Sequence, residues 1–226
     1  MKPVLLLVES SAEFPSVALG SAESIQVLWE KVHPITQSHS EQLPLLVEEA
    51  ISVCRAHEWR IVGLAVNEGP GSYTGLRIGS SLVKALAYAW NLPMLGVSGL
   101  HALALAGAEQ LGDKWAEGAV VWSLMDARRS EVYALTLKYP AKVGSIQPYV
   151  LDETPLPDWG GDCYCVGNGA FKLNDPEHTL DLALTAATLQ PLALAKYSEA
   201  DFADVAYFEP FYLKDFQPGI NKKYRV

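Results

Sequence analysis

Basic charge is scarce in this chain: 17 lysines and arginines stand against 26 aspartates and glutamates in 226 residues, a formal charge of −9 at pH 7. A freestanding nucleic-acid binder clusters Lys and Arg to displace counterions from phosphates, and this balance runs the other way. If RNA matters to its biology, another subunit supplies most of the basic surface. The one basic cluster, Lys222-Lys223-Tyr224-Arg225, reads as a solvated terminus. Cysteine is scarce too. Three of them, an odd count, give no disulfide framework. Cys163 and Cys165 fall on a strand-like stretch and read as reduced, buried thiols rather than as a metal pair. No apolar run reaches the roughly 20 residues that span a bilayer. The run at residues 4–8 is too short for the apolar part of a signal peptide. The expectation is a cytoplasmic globular protein without membrane contact. Its hydrophobic content of 50% is ample core for one large domain or two lobes of about a hundred residues each.

What is present is an alternation of elements. Residues 4–8 read as a buried strand, with further strands at 16–19 and 25–32. Ser38-His39-Ser40-Glu41 matches a capping box and opens a helix running to about residue 57. Leu43, Leu46, Val47, Ala50, Ile51 and Cys54 share one face of it, and Glu41, Glu48, Ser52 and Arg55 the other. Pro44 would cost that helix a hydrogen bond in its interior, which predicts that the regular part starts close to Pro44. Then come strand 61–66, helix 76–90, strand 94–97 and helix 100–110. The alternation argues an α/β fold. A weaker echo follows: strand 120–125 ending in Asp126-Ala127-Arg128-Arg129, and an alternating strand at 131–137. It suggests a degenerate duplication. Residues 155–161 read as a loop, 163–167 as a strand and 184–197 as a helix.

The most informative stretch is Asn67-Glu68-Gly69-Pro70-Gly71-Ser72-Tyr73-Thr74-Gly75-Leu76-Arg77-Ile78-Gly79. Gly69, Pro70 and Gly71 are turn residues, and either Ser72 or Thr74 can cap the helix that follows. Strand, glycine turn and helix is where α/β folds place ligands and partners. It is not a phosphate loop of the Walker kind, because no Lys-Ser/Thr pair follows the glycines and the nearest lysine is Lys84. Gly75 and Gly79 lie one above the other on the helix. Each costs about 1 kcal/mol against alanine, so close approach of another element is implied, either within the chain or from a partner. At one hundred degrees per residue Gly75, Ile78, Gly79, Leu82, Ala85, Leu86 and Ala89 form one face. Leu76, Val83 and Trp90 widen the apolar arc to about half the circumference. One sheet cannot cover so wide an arc, and a second packing surface is expected.

The string GPGSYTGLRIG resembles the signature of the bacterial TsaB family, formerly called YeaZ, and residues 207–213 resemble its terminal P-x-Y-L element. The resemblance covers the first hundred residues strongly and the rest only in elements such as M-D-A-R-R-S-E-V-Y. It implies two ribonuclease-H-like lobes of the actin-like ATPase (ASKHA) type, the second degenerate, divided as residues 1–100 and 101–226. It implies a non-catalytic subunit that supports the TsaD enzyme in forming threonylcarbamoyl-adenosine next to the tRNA anticodon. TsaE would supply ATP turnover, tRNA would be met only through the complex, and the lone chain would form a homodimer. The interface it implies is a helix bundle, assigned to Gly75, Leu76, Gly79 and Val83 of the glycine helix and Leu45 of the preceding one.

Resemblance also exposes what is missing. TsaD-type relatives hold a metal between two histidines spaced H-x-x-x-H. None of the five histidines here has that spacing, and His39 reads as part of the helix start. Actin-like ATPases place an aspartate at the end of the first strand, where this chain has Glu9. That glutamate reads either as a displaced cation ligand or as an ordinary surface-facing strand end. Ser72 lies in G-x-S-x-x-G, which is not a nucleophile elbow. No metal, cofactor or catalytic residue is assigned. Two rivals stay open: a small phosphotransferase binding ATP between the lobes with Glu9 and Asp126 as its carboxylates, and a purely self-associating structural protein.

Overall fold

A computed structural model describes residues 1–35, 39–153 and 162–213. Strands β1 (Pro3–Glu9), β2 (Ser16–Ser21) and β3 (Val27–Val32) lead into helix α1 (His39–Ala56). Strand β4 (Arg60–Asn67), helix α2 (Tyr73–Trp90), strand β5 (Met94–Val97) and helix α3 (Gly99–Leu111) follow. They form a sheet of order β3-β2-β1-β4-β5, antiparallel through the first three strands and parallel from β1 to β5. The second half repeats the plan with β6 (Val120–Asp126), β7 (Glu131–Lys138), β8 (Lys142–Val143), β9 (Gln147–Val150), β10 (Cys163–Val166), β11 (Thr179–Leu180) and helix α4 (Gln190–Ser198). Its sheet runs β11-β10-β6-β7-β8, with β9 also pairing β7. Read from the other edge it has the first sheet's order and the same mixture of parallel and antiparallel pairs. The echo after residue 120 is a true structural duplication.

Alternation in the strands explains the layers. In β1, Val4, Leu6 and Val8 face one side and pack with Leu43, Leu46, Val47, Ala50 and Cys54 of α1 and Val83 and Ala87 of α2. Leu5 and Leu7 face the other side and enter a core shared with α3 and the second sheet. There Leu100 and Leu103 of α3 meet Val121, Leu135, Leu137 and Val166. The exchange is reciprocal: α3, which follows the first sheet, packs on β6 and β7, while α4, which follows the second, packs on β5 and β1. Residues after 184 thus belong with the first sheet as much as with the second half.

The second half is where the duplication thins. The connection from β10 to β11 is a single 3-10 turn, Ala170–Leu173, where the first half has the eighteen residues of α2. The outer face of the second sheet buries Val120, Trp122, Leu124, Val132, Ala134 and Cys165 in a small separate cluster.

Several boundaries differ from expectation. α1 begins at His39, five residues before Pro44, and Pro44 sits exposed inside it, so the proline does not mark the helix start. Ser38 of the capping box and residues 155–161 lie outside the described residues. So does the basic tail. His39 reaches back to the turn after β1: its Nε2 lies 3.0 Å from the Ala12 carbonyl oxygen. Of the three thiols Cys163 is only half-buried, on the same strand face as Cys165, while burial pushes Cys54 up to about 11 and Cys165 up to about 12.

The two helical glycines of α2 are explained by packing inside the chain. A Cβ on Gly75 would overlap the Ser10 carbonyl oxygen, and one on Gly79 would overlap Ser10 Oγ and sit 3.5 Å from Val66. Ser10 Oγ uses the proximity to donate a 2.8 Å hydrogen bond to the Gly75 carbonyl. Gly75→Ala is therefore expected to lose at least ~1–3 kcal/mol despite alanine's better helix propensity, since backbone must move. Gly79→Leu is expected to be worse. Urea unfolding of both variants measures this, and a midpoint equal to that of the parent would contradict it.

Candidate partner face and the polar junction beside it

The signature loop joins β4 to α2 at the carboxyl ends of the parallel strands, the usual ligand end of an α/β sheet. Ser72 is its helix cap: Ser72 Oγ accepts from the Gly75 N–H at 3.3 Å, while Thr74 is exposed. Gly69 has φ +113°, and a Cβ there would come within 2.6 Å of the Phe211 carbonyl oxygen. Gly71 lies against Ser11, where a Cβ would be 2.7 Å from Ser11 Oγ and 3.3 Å from Met125 Sδ of the second half. These glycines are required by close approach, not by a bound group. The chain's last described segment closes over the same loop. Ala203 bridges to Met94, Phe211 N–H donates to the Glu68 carbonyl at 2.6 Å, and Lys84 Nζ donates to the carbonyls of Ala206 and Phe208.

Beneath the loop lies a polar junction that sequence reading missed. Glu9 is not surface-facing; it is completely buried. Its Oε1 accepts from Ser11 N–H at 2.5 Å, Ser11 Oγ at 2.8 Å and Ala12 N–H at 2.9 Å, and its Oε2 accepts from Asn67 Nδ2 at 2.7 Å. Asn67 is the hub. It also donates to Ser11 Oγ at 2.7 Å, and its Oδ1 accepts from Gly69 N–H and Gly99 N–H at 2.9 Å each. All four hydrogen bonds of the amide are made inside the chain. Burial raises the Glu9 carboxyl above its ordinary value, and the donors around it pull it back. The chemical meaning is direct. The backbone N–H groups after β1 that could hold an anion are held by the protein's own carboxylate. The available signal was Asn67 itself, a polar side chain closing an apolar strand.

Asp126, the counterpart of Glu9 at the end of β6, is exposed and pairs with Lys172 at 2.6 Å. The two carboxylates therefore sit in different environments, one buried and one exposed. Among the described residues, no three His, Cys, Asp or Glu side chains gather as a metal site requires.

The interface residues assigned from sequence separate into two groups. Gly75, Leu76, Gly79 and Val83 are all buried by the chain itself, Leu76 at 1% and Val83 at 0% exposure, so they cannot touch a partner directly. The reason is rotational. The glycines draw α2 onto Ser10, so Leu76, Val83 and Ala87 point into the core. The rest of the apolar arc, with Ile78, Leu82, Ala85, Leu86 and Ala89, is left half-buried or open. Ile78, Leu82, Ala85 and Ala89 follow a four-three-four spacing, the spacing of a helix-packing seam. Leu45 of α1 is 54% exposed and Tyr88 of α2 is 84% exposed. Ile78 and Leu82 pack in part against the core beneath them, and Ala85 and Ala89 are exposed. The helix stops cleanly beyond it at Asn91, which adopts φ 51° and whose N–H bonds the Ala87 and Tyr88 carbonyls.

Comparison with known proteins agrees with this architecture. The family of TsaD, tRNA N6-adenosine threonylcarbamoyltransferase, matches residues 26–153, more than half of the chain. The tRNA threonylcarbamoyladenosine biosynthesis protein TsaB of Escherichia coli is 26% identical over 93% of this chain and 94% of its own length. The TsaB of Bacillus subtilis is 33% identical over 59% of this chain, and that match spans 55% of the relative. The solved structure of YeaZ from Pseudomonas aeruginosa superposes with a TM-score of 0.76 at 25% identity, covering 92% of this chain and all of that one. The fold is the two-lobed, actin-like one, and the chain belongs to the tRNA N6-adenosine threonylcarbamoyltransferase family, in its TsaB (YeaZ) branch.

Proposed function

We propose that this chain serves tRNA threonylcarbamoyladenosine formation as a non-catalytic subunit, docking a TsaD-type paralogue on the outer face of α2 and the adjoining face of α1. The observation that carries the reading is the seam on α2 formed by half-buried Ile78 and Leu82 and exposed Ala85 and Ala89, with Leu45 exposed on α1. An apolar helix strip at that spacing fits a helix of similar character, and a relative sharing this fold would present one. The same strip would pair two copies of the chain when the paralogue is absent. TsaE would join the assembly through the complex, and tRNA would be bound chiefly by the other subunits, as the net charge of −9 requires.

Support also comes from what the junction under the signature loop has become. A phosphotransferase on this fold needs free N–H groups and a free carboxylate after β1. Here Ser11 and Ala12 N–H are bonded to Glu9, and Glu9 is fully buried. That favours a structural role over the nucleotide-binding rival.

Two outcomes follow. Ala85→Glu combined with Ala89→Glu, both at exposed positions, is expected to leave the thermal midpoint within a few degrees of the parent while weakening binding to the cognate TsaD at least tenfold. Gel filtration with paired calorimetry reads both, and undiminished co-elution would contradict the assignment. Glu9→Gln sets an amide NH2 group among four donors and is expected to lose ~1–3 kcal/mol of stability, because buried polar groups lose their partners. Equal urea midpoints for parent and variant would show that the junction tolerates the amide and is not held by the carboxylate.

A further inference from the structure

The seam and the junction leave one feature without a role: the tip of the β6–β7 hairpin. Arg128 and Arg129 both adopt left-handed backbone there, with φ 71° and 50°. Hairpin tips with two such residues favour Asn-Gly or Gly-Gly, since a Cβ is strained in this conformation. Arginine confers no local advantage, yet both are exposed. The tip is well fixed. Asp126 Oδ1 accepts from Arg128 N–H at 2.6 Å, and Lys172 Nζ donates to the Arg129 and Glu131 carbonyls at 2.8 Å each. Lys172 also takes up the Asp126 carboxylate, so that acid is not left to neutralise the arginines. The neighbour of Lys172 is Phe171, 64% exposed.

This tip lies at the same end of the molecule as the signature loop, since Gly71 packs against Met125 at the end of β6. Just beyond that loop Arg77 sits over the Tyr73 ring at 4.4 Å, and the Tyr73 and Tyr212 rings lie 4.8 Å apart. Three exposed arginines and partly exposed aromatic faces therefore share one end of a chain that is otherwise acidic. Acidic groups are present as well: Asp152 and Glu153 follow Leu151, whose N–H bonds the Ser130 carbonyl. Cations for phosphates beside aromatic faces for bases is the combination that binds single-stranded nucleic acid, whereas an acidic protein would need only the cations.

We propose that this end contacts single-stranded RNA, with Arg128 and Arg129 on phosphate oxygens and Phe171 and Tyr212 as stacking faces. The site rests on the reading above that the chain acts in tRNA modification, and it supplies a minor share of an affinity supplied mainly by the partner.

The left-handed backbone provides a clean test, because Arg128→Gly with Arg129→Gly removes two cations while relieving strain. Binding of a fluorescent single-stranded oligoribonucleotide to the lone protein is titrated between about 0.02 and 0.15 M salt, a range over which phosphate contacts weaken steeply. The parent is expected to bind at low salt. The glycine pair is expected to melt at or above the parent, to bind at least tenfold more weakly, and to show a salt slope smaller by roughly 1.4, two contacts at about 0.7 each. Arg128→Lys with Arg129→Lys is expected to keep most of the affinity. No binding by the parent at low salt, or equal binding by the glycine pair, would overturn the proposal. Co-elution of the glycine pair with the cognate TsaD is measured separately and is expected to be unchanged. Its loss would make the tip a protein contact and overturn the RNA assignment, whereas failure of the parent to co-elute would count against the proposed function alone.

Discussion

The close approach of α2 to the end of β1 decides most of what this molecule presents to others. Helix and strand end meet at Ser10, whose carbonyl and hydroxyl occupy the space that side chains at positions 75 and 79 would need. Two helical glycines cost about 1 kcal/mol each in propensity. Contact with the strand end offsets that cost, and it also fixes the rotation of the helix about its own axis. With Gly75 and Gly79 inward, Leu76, Val83 and Ala87 follow them into the core, and Ile78, Leu82, Ala85 and Ala89 turn outward. The proposed docking face is thus a consequence of an internal packing constraint rather than a separately built feature.

The same approach closes the junction below. With the signature loop seated against Ser11, Asn67 can reach Glu9, Ser11, Gly69 and Gly99 at once. A fully satisfied buried network of this kind is rigid, because loosening any member strands the others. It ties β1, β4 and the start of α3 together at the end where relatives of the fold place their chemistry. The C-terminal segment adds a strap across it through Phe211 and Lys84. Stability and loss of an anion site have one cause.

Much of this fold was legible from residues alone. Strand β5 and the start of β6 fall where the apolar runs place them, and the duplication after residue 120 shows in the paired sheet orders. Periodicity found α2, but the interface assigned to Gly75, Leu76, Gly79 and Val83 turned outward an edge that is buried. An apolar arc covering half a helix does not say which edge is core, and small residues looked like an edge when they were the centre. The burial of Glu9 was hidden for a related reason. Its partners, Ser11, Ala12 and Asn67, are 2 to 58 residues away, and a charged residue at a strand end ordinarily meets solvent. Pro44 misled because an exposed helix position tolerates the missing hydrogen bond once α1 is held by its buried face. The Arg128-Arg129 turn carried no sequence warning at all, since left-handed backbone at arginine is visible only in coordinates.

The central claim is that α2 faces inward at its glycines and outward, toward a partner, at Ala85. A single thiol at that position tests it directly. In an Ala85→Cys variant that also carries Cys163→Ser, because Cys163 is only half-buried, with Cys54 and Cys165 buried as internal background, the rate of maleimide labelling would be followed alone and with the cognate TsaD. Dilute protein keeps self-pairing from covering the site. The account predicts fast labelling of the lone chain and at least tenfold slower labelling in the presence of saturating TsaD. Labelling at the same rate in both would show that the outer face of α2 is not where the partner sits.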